Sequence, residues 1–242
     1  MPRLSKLIAD AGIASRRKAA DLIRAGRVRV DGEAITSPGV QVDPTTSRVE
    51  VDGRLVAAEE RVYLLLNKPA DSLSTVVDQR GRRTVVDLVG GVEQRVYPAG
   101  RLDADTEGLL LLTNDGELTF RLTHPRYGVE KVYEAEVKGR PSGAALRRLE
   151  EGVMLEDGVA RAVRARLLEG GGEGSRVEVV LHSGRKRQVR RMLKAVGHPV
   201  LRLRRTRLGS LTLGSLQVGE WRALTVAEIE GLRTATEENA AP

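Results

Sequence analysis

The sequence predicts an α+β protein in which a small N-terminal domain, residues 1–59, precedes a larger domain, residues 60–235, and a disordered tail, residues 236–242. Two short helical segments followed by a hairpin indicate the small domain, and Glu59 and Glu60 mark an exposed junction after it. Farther along, alternating strands with hairpins and interspersed helices indicate a mixed, mostly antiparallel sheet. The 242 residues are enough for both domains.

The first helix is expected over Leu4–Ala11 with Ser5 as its cap, and the second from Ser15 to just before Gly26. Val28–Gly32 then alternates into a hairpin, and a second hairpin over Val49–Val56 closes the domain. The stretch RLSKLIADAGIASRRKAADLIRAGRVRVDG resembles the S4 RNA-binding domain, which implies contacts to structured RNA. The basic residues that would make them are Arg3, Lys6, Arg16, Arg17, Lys18 and Arg27.

The large domain opens with a strand over residues 62–66, and a polar loop follows over residues 71–84. The further strands expected are 109–112, 131–137, 160–168, 176–181, 201–208 and 211–218, with a hairpin turn at 170–174. Helices are expected at 117–122, 142–151 and 185–193, with a last one from Thr225 that buries Val226, Ile229 and Leu232.

Positive charge is concentrated in two stretches, although the net charge is only +7. Residues 1–30 contain eight Lys or Arg and two acids, and residues 179–219 contain ten Lys or Arg and no acid, so the remainder carries −9. A single basic stretch is explained by a solvated surface, but two on an otherwise acidic chain favour a polyanionic partner.

The composition also restricts the chemistry. The chain has no cysteine, which excludes disulfides and thiolate metal sites and fits a reducing cytoplasm. His124, His182 and His198 are scattered, and no phosphate-binding glycine motif precedes a helix. We therefore expect no metal and no cofactor. With neither a signal peptide nor a long apolar run, we expect a cytoplasmic protein without a membrane partner.

The stretch Gly100–Gly116 combines acids with a core strand. Asp103 and Asp105 lie beside Arg101, directly before the apolar run over residues 109–112. Acids at the mouth of a buried strand need partners or a function. From the residues alone, Asp103 is either a loop acid paired with Arg101 or a nucleophile or general base in a pocket.

This stretch, GRLDADTEGLLLLTNDG, resembles the signature segment of the pseudouridine synthases of the RsuA/RluB class. Three further segments match in order: NKP at 67–69 with Ser74, Thr75 and Asp78; KVYEAEV at 131–137; and GRKRQVRRM at 184–192. One departure is visible, because Ala70-Asp71-Ser72 stands where the family has a glycine-containing turn. The resemblance implies an enzyme that isomerises a uridine of ribosomal RNA after flipping it out of the RNA.

The resemblance also implies roles for individual residues. Asp103 would be the catalytic carboxylate, which either attacks the substrate or removes a proton from the sugar, and Arg190 would pair with it. Tyr133 would stack on the target base, although a purely core role for this strand residue is also open. The remaining residues expected to bind substrate are Arg101, Lys186, Arg187, Arg191, Asn67 and Lys68.

The similarity of RLDADTEGLLLLTNDGEL and HPRYGVEKVYEAEV to the large-subunit enzymes favours 23S over 16S ribosomal RNA as the partner. Ribosome assembly intermediates are a second expected partner, and the protein is expected to be a monomer. The alternative is an S4-type protein that binds structured RNA or assists ribosome assembly without catalysis. That alternative explains both basic stretches but leaves the loop with Asp103 without a role.

Overall fold

The computed structural model describes residues 1–171 and 174–238, which divide into two compact units. The first unit contains Met1–Val62 with the short segments Val92–Arg95 and Asn114–Gly116. The second contains the rest of the described chain, so the division falls three residues beyond the predicted junction. No helix in residues 1–171 or 174–238 is long and apolar enough to cross a membrane.

The first unit consists of two helices and a small antiparallel sheet. Its elements are α1 (Leu4–Asp10), α2 (Arg16–Arg24), β1 (Val28–Val30), β2 (Glu33–Ile35), β3 (Val49–Val51) and β4 (Arg54–Leu55), with sheet order β2-β1-β3-β4. Leu4, Ile8, Ile23 and Val28 are completely buried and form the centre of its core. The amphipathic spacing of these residues in the sequence thus predicted this unit.

The ends of these elements follow from local chemistry. The Ser15 side chain accepts a hydrogen bond from the backbone N–H of Lys18 and caps α2, as predicted. Ser5, in contrast, lies buried inside α1, so its prediction as a cap is wrong. Both hairpins turn through an Asp-Gly pair with positive φ at each residue, 52° and 88° at Asp31 and Gly32. Asp-Gly is a preferred pair for such two-residue turns.

The second unit carries the large sheet. Its elements are β5 (Tyr63–Lys68), β6 (Tyr97–Pro98), β7 (Glu107–Thr113), α3 (Gly116–Thr123), a 3₁₀ turn (Pro125–Tyr127), β8 (Lys131–Lys138), α4 (Gly143–Glu151), β9 (Val153–Leu155), β10 (Gly158–Ala160), β11 (Arg164–Gly171), β12 (Gly174–Leu181), α5 (Gln188–Ala195), β13 (Val200–Leu208), β14 (Leu211–Thr212), β15 (Trp221–Ala223) and α6 (Val226–Glu238).

The sheet runs in the order β11-β12-β8-β13-β7-β5-β15, with β14 beside β13 and β6 beside β7. The pairings between these strands are antiparallel except that of β13 with β7, at the centre. The predicted class, a mixed and mostly antiparallel sheet behind an S4-like domain, is therefore confirmed. Leu109–Leu112 in β7 are completely buried, which explains the unbroken apolar run.

The parallel crossing depends on a glycine. Gly108 has φ +108°, and a Cβ atom there would lie 2.2 Å from the backbone oxygen of Arg205 on β13. Only glycine allows the two backbones to approach this closely. The crossing places the loop before β7 directly beside the middle of β13.

Several boundary predictions are wrong. The helix expected over 185–193 begins at Gln188, because Arg187 has a left-handed φ of 50°. Val226 is 72% exposed and does not join the core, whereas Leu232 does. Thr236 is completely buried in α6, so the predicted tail 236–242 is wrong for residues 236–238; the rest of it lies outside the described residues, as do residues 172 and 173 of the hairpin turn at 170–174.

Candidate active site

A pocket of about 430 Å³ opens in the second unit beside the loop that precedes β7. Arg101, Asp103 and Thr106 of this loop line one side, and Tyr133 of β8 lines another. The segment from Ser183 to Val189, which leads into α5, completes the wall. The structure thus brings together residues from three distant parts of the sequence that were predicted to act together.

The loop that carries Asp103 is held by its backbone. The Ser74 hydroxyl accepts a hydrogen bond from the N–H of Leu102 (3.1 Å) and donates one to the Leu102 carbonyl (2.9 Å). On the other side of Asp103, the N–H of Asp71 donates to the carbonyl of Ala104 over 2.8 Å. These bonds leave the Asp103 side chain as the part of the loop free to act in the pocket.

Asp103 has no partner among the described residues. Within the described part of the chain its carboxylate makes neither a hydrogen bond nor an ion pair, and the side chain is half-buried at the pocket wall. The pairing with Arg101 considered from the sequence is therefore absent from these residues. A partly buried carboxylate without a partner is costly in a folded protein, and this is typical of a group that meets a ligand.

Asp105, two positions along, is in the opposite situation. The Arg187 guanidinium donates to both of its carboxylate oxygens over 3.0 and 2.9 Å, and Arg190 lies 3.4 Å away. The hydrogen bonds from Arg187 hold the pKa of the Asp105 carboxyl below its ordinary range. Asp105 is therefore a structural anchor between the loop and the start of α5.

Arg190 was predicted to pair with Asp103, and this contact is not present. Its guanidinium instead donates to the backbone oxygen of Asp105 over 2.7 Å. The Arg190 side chain is only 11% exposed, and burial lowers its pKa, although the charges of Asp105 and Asp103 oppose this. The hydrogen bond from Arg190 thus fixes the loop at Asp105, two residues beyond Asp103.

Tyr133 lies in β8 with Val179 and Arg205 opposite it on the neighbouring strands. The side chain is 8% exposed and lines the pocket together with Asp103. Its ring is therefore packed into the sheet and also forms a wall of the pocket, which is compatible with both alternatives considered for it.

Asn67 and Lys68 were predicted to bind substrate, and the structure contradicts this because both are completely buried. The Lys68 ammonium donates to the carbonyls of Pro69 (2.9 Å), Ala104 (3.2 Å) and Thr106 (2.9 Å), so it holds the underside of the loop. Burial lowers the pKa of Lys68 to about 8, although nearby carboxylates, Asp105 first among them, oppose the shift. The Asn67 amide donates to the carbonyl of Leu216.

The predicted phosphate-binding cations divide into two groups. Arg101, Lys186 and Arg187 are exposed and line the pocket. Arg191 is turned away from it and forms a two-fold ion pair with Asp157 over 2.8 and 3.0 Å. Since its guanidinium is already paired outside the pocket, the prediction that Arg191 binds substrate is not supported by its position.

The basic residues predicted to bind RNA in the first unit also divide into two groups, according to whether they form ion pairs with the described residues. Lys6 pairs with Asp10 over 2.8 Å, and Arg27 binds both oxygens of Asp52. Arg3, which directly precedes α1, and Arg16, Arg17 and Lys18, in the first turn of α2, are exposed and form no ion pair within the described residues.

Two organising residues were missed. Gln188 is 4% exposed, and its side-chain oxygen accepts hydrogen bonds from the Ser183 hydroxyl (2.9 Å) and the Arg185 N–H (3.0 Å). It thereby shapes the basic turn before α5. Ser74, which brackets Leu102, was noted only as part of a motif. A polar residue within a charged stretch carries no sequence signal of burial, so Gln188 could be found only from the structure.

No cluster of three or more His, Asp or Glu side chains in residues 1–171 and 174–238 could hold a metal ion. The site consists of a carboxylate without a partner, an aromatic wall and exposed cations. It can place one charged group against a flat, uncharged ring system and bind anionic groups around it.

Comparisons with known proteins identify the family of the chain. A family model described as RNA pseudouridylate synthase matches residues 62–195, and a model of the S4 domain matches residues 2–46. Ribosomal large subunit pseudouridine synthase B of Bacillus subtilis is 47% identical over 96% of this chain and 96% of its own length. An uncharacterized RNA pseudouridine synthase of Aquifex aeolicus is 45% identical over 95% of this chain and 93% of its own. The crystal structure of a pseudouridylate synthase, 31% identical, superposes with a TM-score of 0.67 over 96% of this chain and 100% of that one.

Proposed function

The chain belongs to the RNA pseudouridylate synthase family and carries an N-terminal S4 domain, and we propose that its substrate is a uridine of large-subunit (23S) ribosomal RNA with Asp103 as the catalytic carboxylate. The ribosomal substrate is supported by the large-subunit enzyme of Bacillus subtilis, which is similar over nearly the whole chain. The role of Asp103 is supported by one observation above all: its carboxylate lines the pocket without a partner among the described residues, while both carboxylate oxygens of Asp105 are bound by Arg187.

The reaction converts uridine into its isomer, so no atom is lost and no electron is transferred. The bond from the ribose to the uracil nitrogen breaks, the ring turns, and a bond from the same ribose carbon to a uracil carbon forms. A proton leaves the uracil carbon that forms this bond, and a proton is added to the uracil nitrogen. The Asp103 carboxylate acts either by attacking the substrate or by removing a proton from the sugar, and each use requires it to be free of a structural partner.

The other pocket residues would hold the flipped nucleotide. The Tyr133 ring is a rigid wall against which the uracil ring stacks. Arg101 and Lys186 are exposed at the pocket and suit the phosphates on either side of the target, whereas Arg187 is already bound to Asp105. Flipping costs a few kcal/mol, which these contacts offset on binding. The exposed Arg3, Arg16, Arg17 and Lys18 of the S4 domain would add contacts to structured RNA.

The variant Asp103→Asn tests this assignment, because it keeps the shape of the side chain and removes its charge. We expect it to lower the rate of pseudouridine formation in ribosomal RNA by about a thousandfold or more while the protein melts as wild type does. Asp105→Asn is the matched control and should lower the rate only about tenfold. Wild-type turnover by Asp103→Asn would refute the assignment. Tight RNA binding by a wild-type protein that forms no pseudouridine would refute catalysis itself.

The two uses of the carboxylate can be separated with ribose-deuterated substrate. Removal of a sugar proton predicts a primary isotope effect on single-turnover rates, whereas attack on the substrate predicts none. Mapping pseudouridines in cells with and without the gene tests the RNA. We expect a site to be lost from 23S RNA, and a loss from 16S RNA instead would overturn the choice of subunit.

We also propose that the protein works in the cytoplasm as a monomer, on free RNA or on ribosome assembly intermediates. Co-sedimentation of the tagged protein with precursor particles and its mass in solution check these statements. A dimer in solution, or exclusive binding to mature subunits, would contradict them.

A further inference from the structure

Four side chains form a compact aromatic and basic cluster at the end of α3, which we call the Phe120 cluster: Phe120, His124, Arg126 and Tyr127. The ring centroids of Phe120 and His124 lie 4.9 Å apart, and those of Phe120 and Tyr127 lie 5.9 Å apart. The Arg126 guanidinium carbon lies 5.4 Å from the centroid of the Phe120 ring and 4.6 Å from that of Tyr127. The cluster is separate from the residues that line the pocket.

The exposure of this cluster is unusual for the chain. The sequence contains one Phe, one Trp and four Tyr, and Phe120 is the one among these six that the structure leaves exposed, at 46%. His124 and Arg126 beside it are also exposed. In a protein with so few aromatic residues, the exposed rings of Phe120 and His124 packed beside the buried ring of Tyr127 point to a binding role for that position.

The cluster is also rigid. The His124 ring accepts a hydrogen bond from the backbone N–H of Arg126 over 3.3 Å, which fixes the start of the 3₁₀ turn. The Arg126 guanidinium donates to the Tyr127 hydroxyl, and Tyr127 is packed in the core of the unit. Because these rings are already held in place, a ligand that stacks on them orders little of the protein.

The position of the cluster connects it to the active-site loop. Thr123, which directly precedes His124, packs against Gly100, where a Cβ atom would lie 3.2 Å from its methyl group. Gly100 in turn precedes Arg101, which lines the pocket. Through Thr123 and Gly100 the cluster is thus joined to the part of the loop that lines the pocket, and Arg126 adds a positive charge to the cluster.

We propose that the Phe120 cluster binds an unpaired nucleobase of the RNA, outside the pocket that takes the target uridine. An exposed aromatic ring next to a guanidinium suits the stacking of a base of any identity, and the charge of Arg126 suits its phosphate. The inference rests on the proposed function in that RNA is the substrate. It assigns to the Phe120 cluster the binding of a nucleotide that flanks the target uridine and is kept unpaired during catalysis.

The test compares two short single-stranded RNAs of equal length, one of mixed sequence and one with abasic ribose throughout, binding to the full chain. Phe120→Leu keeps the apolar volume and removes the aromatic face. We expect it to weaken binding of the base-containing RNA about tenfold and to leave binding of the abasic RNA unchanged. Phe120→Trp, which keeps a stacking face, should bind both RNAs as wild type does. Because Tyr133 is present in every variant, its own stacking cancels in the comparison.

Equal binding by wild type and Phe120→Leu, or an equal loss for both RNAs, would overturn the proposal. Arg126→Gln, at an exposed position, provides a second variant and should weaken base-dependent binding in the same direction. In the isomerisation assay Phe120→Leu should raise KM with little change in kcat. Absence of pseudouridine with wild type would refute the proposed function alone, since the binding comparison does not depend on turnover.

Discussion

The two carboxylates of the active-site loop occupy opposite environments although only Ala104 separates them. Asp103 lines the pocket with no partner among the described residues, whereas Asp105 binds Arg187 through both oxygens and Arg190 through its backbone. The difference shows how the loop keeps one acid available. The paired acid fixes the loop against the start of α5, and this rigidity prevents the other acid from turning to a cation of its own.

Lys68 likewise holds the loop through residues other than Asp103. The Lys68 ammonium is completely buried and donates to the carbonyls of Ala104 and Thr106, on either side of Asp105. A buried cation is expensive unless its hydrogen bonds are made, and here three carbonyls accept them. The loop is thus held by Lys68 through its backbone carbonyls and by Arg187 through the Asp105 carboxylate, and the Asp103 side chain remains open to the pocket.

The largest effect is expected from removing the hydrogen bonds that Lys68 makes to the loop. We expect Lys68→Met to lower kcat about a hundredfold, because a displacement of the loop by about 1 Å misplaces Asp103. The loss of three hydrogen bonds should also lower the free energy of unfolding by about 3 kcal/mol. Steady-state kinetics and urea unfolding measure the two effects.

Lys131 is the matched control for this variant. It is likewise buried, its pKa is also lowered to about 8 by burial, and it holds the carbonyls of Val129 and His182 rather than the loop. Lys131→Met should destabilise the fold but leave kcat closer to wild type. Equal losses of kcat in both variants would show that Lys68 has no special effect on the loop.

The second-largest effect is expected from the titration of Lys68, which makes the free energy of unfolding depend on pH. Burial lowers its pKa from 10.5 to about 8, so between these values the unfolded chain binds the proton that the folded chain releases. Stability of the wild type should therefore rise with pH across this window relative to Lys68→Met, by up to about 3 kcal/mol. Below pH 8 the difference should be constant. Urea unfolding at a series of pH values tests this, and a flat difference from pH 8 upward would contradict it.

The smallest effect is expected from removing the ion pair between Asp105 and Arg187. Asp105→Asn should lower kcat about tenfold and the free energy of unfolding by about 1 kcal/mol, because the ion pair with Arg187 is partly exposed. Since Arg187 lowers the pKa of Asp105, this stabilisation is present above the ordinary value of 3.8 and is lost as the pH falls through the lowered one. The stability gap to wild type should therefore close in acid.

Asp157→Asn is the control for Asp105→Asn. Asp157 binds Arg191 in the same two-fold manner and is similarly exposed, but neither residue lines the pocket. This variant should leave kcat unchanged. If it lowers kcat as much as Asp105→Asn does, the anchoring role of Asp105 is wrong.

The second basic stretch shows why charge counted along the sequence does not define a surface. Arg205 is buried and donates to the carbonyl of Leu109 in the sheet, while Arg202 and Arg207 pair with glutamates on the solvent side. Only Arg185, Lys186 and Arg187 of this stretch line the pocket. Strand alternation in β13 sends neighbouring cations to opposite faces, so cations that are adjacent in the sequence serve different purposes.

Local patterns predicted the secondary structure where the chemistry is local. The Asp-Gly pairs predicted both hairpins of the first unit, and the apolar run predicted β7. The helix at 185–193 was misplaced because Arg187 has a left-handed backbone, and its guanidinium is bound to Asp105 of the active-site loop. Such contacts join positions about 80 residues apart, beyond any local signal.

The sequence by itself determined the fold class, the family and the loop in which the free acid lies, because apolar periodicity, turn residues and motif order are written along the chain. Only the tertiary structure decided which acid is free, which arginine is bound and which lysine is buried. These depend on distances between side chains from separate strands, and the free energy of each charge is set by the groups that surround it in space.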